Sequence, residues 1–109
     1  MIVQTNKPSD PKSLALEIGL VILLSKGENF FVYYCDEPEV SSEGEVSLQF
    51  MDAKLQVPKV YHTETTVEWD TILKGVCNFL VPKHDTATVY YFTSLITLKD
   101  TVNELLSWT

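Results

Sequence analysis

The sequence predicts an α+β fold: a single-domain antiparallel sheet carrying two amphipathic helices on one face, in the order β-β-β-β-α-β-α. Three observations predict it. Apolar residues recur at every second position through four stretches in the first half of the chain. Helical spacing appears only late, at Trp69, Ile72, Leu73, Val76 and Leu80 and again at Leu98, Val102, Leu105 and Leu106. A further aromatic and β-branched run, Thr86 to Ile96, falls between the two helical patterns.

Residues 1–12 are polar and include Pro8 and Pro11, which predicts a flexible lead-in before one domain over 13–109. Leu14, Leu16, Ile18, Leu20, Ile22 and Leu24 alternate as a strand would, although Leu14, Ile18, Val21 and Ile22 also fit a helix. Ser25-Lys26-Gly27-Glu28-Asn29 supplies turn chemistry, and Phe30 to Cys35 reads as the return strand, ended by Pro38. Glu39 to Gly44 is an acidic loop. Glu45 to Phe50 and Ala53 to Val57 both alternate. A turn at Met51-Asp52 would pair Phe50 with Ala53, Leu48 with Leu55 and Val46 with Val57. Pro58 then stops the second strand or confines it to an edge. Thr65-Thr66-Val67-Glu68 has the form of a capping box ahead of the helix that Pro82 ends, with Thr65 as the cap. Gly75 lies inside that helix at a cost of about 1 kcal/mol against Ala, which suggests a close packing contact. The last helix opens at Thr97 and carries Trp108 at its end.

The 109 residues suffice for one core, and 45% of them are apolar. All of the net charge of −7 lies in residues 36–70, which hold nine acids against Lys54 and Lys59. The chain has no arginine. Eight scattered lysines without arginine argue against nucleic acid as a ligand and against an anionic membrane surface. No apolar run approaches the ~20 residues of a membrane-spanning helix. No secretory signal is visible, so a cytoplasmic location is expected, with entry to the nucleus by diffusion. Cys35 and Cys77 each lie in an apolar stretch and are read as buried thiols of a reducing compartment rather than a disulfide.

No catalytic chemistry stands out. His62 and His84 are isolated, and neither a CxxC nor an HExxH occurs. There is no nucleophile elbow around Ser94, and the four glycines form no phosphate loop. The expectation is a non-enzymatic domain without cofactor or metal that works by binding another protein. Two sets of residues are candidates for that contact. The first is the acidic run Asp36, Glu37, Glu39, Glu43 and Glu45, which reads either as a solubilising loop or as a docking edge for a basic partner. The second is the aromatic residues of the two strands, Tyr33, Tyr90 and Phe92 among them. Bulky residues on both faces of those strands exceed what two helices on one face would cover, and a second subunit would take the remainder.

Val21 to Gly27 turning into Phe30–Tyr34 and ending at Asp36-Glu37-Pro38 resembles the small proteasome assembly chaperones of the third and fourth types. So do the helix from Trp69 to Leu80, the strand from Val89 to Ile96, and Lys99-Asp100 opening a final amphipathic helix. The likeness spans about Leu14 to Thr109 and is one of pattern and length, so no residue role is carried over. The resemblance implies a chaperone that forms a heterodimer with a second small chaperone and holds proteasome α subunits during 20S assembly. The alternative is a small acidic inhibitor, an immunity or anti-defence protein that mimics nucleic-acid charge and occupies a basic cleft of its target.

Overall fold

The computed structural model describes residues 2–5 and 19–108, with side chains described from Gly19 onward. The class is α+β, as expected. Its elements are β1 (Ile2–Thr5), β2 (Gly19–Lys26), β3 (Asn29–Cys35), β4 (Glu39–Val40), β5 (Glu45–Asp52), β6 (Pro58–Glu64), α1 (Trp69–Leu80), β7 (Thr86–Phe92) and α2 (Leu95–Trp108). The strands form one sheet in the order β1-β7-β2-β3-β5-β4, with β6 on the other side of β5. All pairs are antiparallel except β1 with β7.

β2 and β3 form a tight hairpin in which Lys26 pairs with Asn29. Gly27 takes the first turn position at φ +61°, a conformation that primed hairpin turns demand and that glycine adopts without strain. The other edge of β2 lies along β7 from Gly19–Phe92 to Ser25–Thr86. β2 is thus the central strand, which accounts for apolar residues on both of its faces.

The helices take opposite faces of the sheet rather than sharing one. Leu20, Ile22, Leu24, Tyr33, Val89 and Tyr91 point to the side where α1 buries Trp69, Ile72, Leu73, Val76, Cys77 and Leu80. Val21 and Val32 point to the other side, under Leu98, Val102 and Leu105 of α2. The physical reason is the period-two alternation itself: odd and even residues of β2 are equally apolar, so each face needs its own cover. Tyr34, Tyr90 and Phe92 of the aromatic surplus pack, half-buried, against the α2 cluster, while Phe30 stays 47% exposed.

Three local readings are corrected. Residues Ile2–Thr5 of the expected lead-in form a strand beside β7, while the expected start of the first long strand at 14–18 lies outside the described residues. β5 runs on through Met51 and Asp52, and Ala53–Val57 is a turn rather than a strand. The true partner is β6, with Phe50 opposite Lys59, Leu48 opposite Tyr61 and Val46 opposite Thr63. Asp52 causes the shift. Its Oδ1 accepts the N–H groups of Lys54 and Leu55, both at 2.9 Å, and so reverses the chain. Gln56 follows at φ +56°, and its N–H returns to the Asp52 carbonyl at 2.8 Å. Pro58 is tolerated as the first residue of its strand. Finally, Thr65 does not cap α1. The N–H of Val67 closes a turn on the Glu64 carbonyl, and Glu68 takes the cap position without a side-chain bond.

At the chain's far end β7 stops at Phe92 and α2 starts at Leu95, earlier than Thr97. The Ser94 carbonyl accepts from both the Leu98 N–H and the Thr97 hydroxyl. The Cβ that Gly75 lacks would run into the hydroxyl end of Tyr61, whose ring lies 5.6 Å from that of Phe79.

Candidate functional site

β5 pairs with β3 only at Tyr33–Asp52 and Tyr34–Met51. Beyond that point the Ala53 N–H still reaches the Val32 carbonyl at 2.9 Å, and then the Asp52 turn carries the chain away. The sheet forks here. The fork opens a cleft of about 600 Å³ between the first half of β3 and the 53–58 turn, floored by the end of α1 at Leu80–Pro82. That volume lies within the range of ligand-binding clefts.

The walls are apolar and accessible. Leu55 is 70% exposed, Val57 48% and Phe30 47%, a concentration of exposed large hydrophobic groups that folding alone does not require. The polar groups meeting inside are spent on one another. The Tyr33 hydroxyl donates to the Asp52 carboxylate, and burial followed by that negative neighbour raises the Tyr33 pKa above its usual 10.0. Asp52 is only 9% exposed and also holds the two turn amides. Lys59 sits 5.8 Å from the centre of the Tyr33 ring and donates to the Leu80 carbonyl at 3.3 Å. Lys54, exposed on the rim, carries the remaining charge. The set is built to fix the turn and to present a positive rim.

The sequence-derived candidates fall in three places. Tyr33 is buried at the floor of the cleft. Tyr90 and Phe92 are half-buried against the α2 cluster, where they line a shallow groove of about 350 Å³ with Leu105 and the exposed Trp108. Asp36, Glu37 and Glu39 surround a recess of about 150 Å³ with Ser47 and Gln49. One residue more lies between Tyr34 and Glu39 than between their partners Met51 and Ser47, so Asp36-Glu37-Pro38 bulges from the edge of β5. Glu43 is exposed on the loop beyond, and Glu45 is exposed at the start of β5. The acidic and aromatic candidates therefore do not form one site.

Phe30, Asp52, Lys54, Leu55 and Lys59 were missed as a group. One signal did mark them: Lys54 and Lys59 are the sole cations of the acidic third, and both line the cleft.

Both cysteines are free and buried. Burial, helped by Asp36 and opposed by a main-chain hydrogen bond from Gln49, pushes Cys35 up to about 12. Burial alone pushes Cys77 up to about 11. His62 is exposed, and His84 Nδ1 lies 3.0 Å from the Val81 carbonyl. Among the described residues no group of three or more His, Cys, Asp or Glu side chains is placed to hold a metal ion, and no helix is long and apolar enough to cross a membrane. No protein-family model, curated protein or solved structure matches the chain.

Proposed function

We propose that this chain is a non-catalytic protein-binding domain whose contact surface is the cleft at the forked end of the sheet. The observation that carries this reading is the gathering of Leu55, Val57 and Phe30, all accessible, around a concavity whose inner polar side chains, Tyr33, Asp52 and Lys59, are already paired. Exposed apolar groups in a polar rim are what protein interfaces use as anchors. The narrower form of the proposal follows the resemblance: an assembly chaperone subunit that pairs with a second small chaperone on proteasome α subunits, in the cytoplasm.

The acidic inhibitor is the second reading. It is favoured by the bulge that sets Asp36, Glu37 and Glu39 around one recess, with Glu43 and Glu45 exposed further along the chain. Affinity purification from the native cell with two variants separates the readings. Leu55→Asp is expected to lose the partner under the cleft reading, and Glu39→Gln/Glu43→Gln/Glu45→Gln to keep it at raised salt. The opposite pattern supports the inhibitor, since a charge mimic weakens with salt. A partner retained by both variants overturns both readings.

A further inference from the structure

The open half of β3 has one main-chain feature that the rest of the sheet interior lacks. The Ser25 carbonyl accepts from the Asp85 N–H at 2.7 Å, on the β7 side of β2. Its partner across the hairpin is Phe30. In an antiparallel ladder such a pair turns its main-chain groups away from each other. The N–H and C=O of Phe30 therefore point out of the hairpin into the cleft, as the Val32 carbonyl does where it meets Ala53. At Val32 the turn supplies a partner. At Phe30 none of the described residues does.

We infer that the cleft takes an extended acidic–apolar peptide, which adds as a short strand to Asn29–Phe31 in the place that β5 vacates at Asp52. This rests on the reading of the cleft as the contact surface and names what occupies it. Three features select that occupant. The Phe30 main chain offers one donor and one acceptor at the spacing of a strand, the mode of recognition used in β-strand addition. Leu55, Val57 and Pro82 offer an apolar wall for alternate side chains of the added strand. Lys54 on the rim and Lys59 within outweigh the single carboxylate of Asp52 and make this a locally positive place on a protein whose net charge is −7, so a carboxylate-bearing segment is favoured here over the acidic remainder of the surface. A second copy of the chain fits less well, because a symmetric pairing of two β3 edges brings both lysine pairs together.

The test uses a fluorescein-labelled heptapeptide of alternating valine and glutamate, its counterpart with lysine for glutamate, and a valine–glutamate peptide N-methylated on alternate amides. Anisotropy titration of the intact protein is expected to show binding of the first peptide and at least tenfold weaker binding of the other two. Amide hydrogen exchange is expected to slow at Phe30. Lys54→Glu, a substitution of an exposed side chain, is expected to weaken the first peptide about tenfold, the factor that one lost charge-assisted contact of about 1.4 kcal/mol gives. Equal binding of the lysine peptide, binding without protection at Phe30, no binding at about 1 mM peptide, or a homodimer that protects Phe30 would each overturn the inference. Loss of the native partner through Leu55→Asp alongside any of those results would leave the cleft as a contact surface and remove only the added strand.

Discussion

Two side chains and one missing one illustrate how local chemistry sets stability. The Trp69 indole N–H donates to the Tyr91 hydroxyl at 2.7 Å inside the α1 core, with the rings 6.3 Å apart. Tyr91→Phe removes the acceptor and strands a buried donor, so urea denaturation is expected to show a loss of about 1–3 kcal/mol. At Gly19 an added Cβ would meet the Cys35 carbonyl oxygen and the Cα of Asp36, both main chain, as well as Leu98 Cδ1. Backbone cannot move aside as the end of Tyr61 can at Gly75, and Gly19→Ala is expected to cost about 1–3 kcal/mol in the same assay. The thiols give a pH prediction. Cys35 and Cys77 titrate at about 12 and about 11 when folded, above the free-thiol value of 9.0. The unfolded chain therefore releases these protons first, and the stability they contribute is full below pH 9 and lost as pH rises toward 12. A thiol-reactive chromophore is expected to modify neither cysteine at neutral pH until denaturant unfolds the protein, since the thiolate is the reactive form.

At the scale of elements, the hydrophobic spacing located the buried stripe and the C-terminal end of α1, because six buried side chains on one stripe leave little freedom in register, while the capping-box reading started the helix about three residues too early. It also located β3, and the aromatic alternation of β7. It failed between Phe50 and Glu64 for a physical reason. Ala53-Lys54-Leu55-Gln56-Val57 alternates as well as a strand does, and the side-chain bonds of Asp52 that fold it into a turn carry no periodic signal. β6 went unread because its Lys59-Val60-Tyr61-His62-Thr63 face is half wet and it opens with a proline. The candidate site inherits that failure, since the cleft is made by the turn. Asp52→Ala is expected to cost about 1–3 kcal/mol by unpairing two amides and the Tyr33 hydroxyl, and to speed hydrogen exchange at Lys54 and Leu55. Asp52→Asn keeps an acceptor oxygen and is expected to fall between it and the parent. Lys83, at φ +59° just beyond α1, holds a conformation that costs a residue with a Cβ about 1–2 kcal/mol. Lys83→Gly is accordingly expected to raise the urea midpoint despite the greater entropy of glycine in the unfolded chain.

Over the whole molecule, helices on both faces cover most of the apolar strand positions, and among the described residues the exposed large hydrophobic side chains gather at the fork and the helix ends, with Val60 of β6 apart from them. Light scattering after size exclusion is expected to show that Leu55→Asp abolishes any heteromer without changing the mass of the isolated chain. The order of the sheet also bears on how the chain is made. β2 lies between a neighbour that follows it at once and β7, whose Thr86 pairs with Ser25. A ribosome adding about 5–20 residues per second needs roughly 3–12 seconds to supply the intervening stretch. Through that interval the most apolar strand of the protein has one naked side, and a nascent chain stalled before β7 is a natural client for holding factors and a ready seed for precipitation.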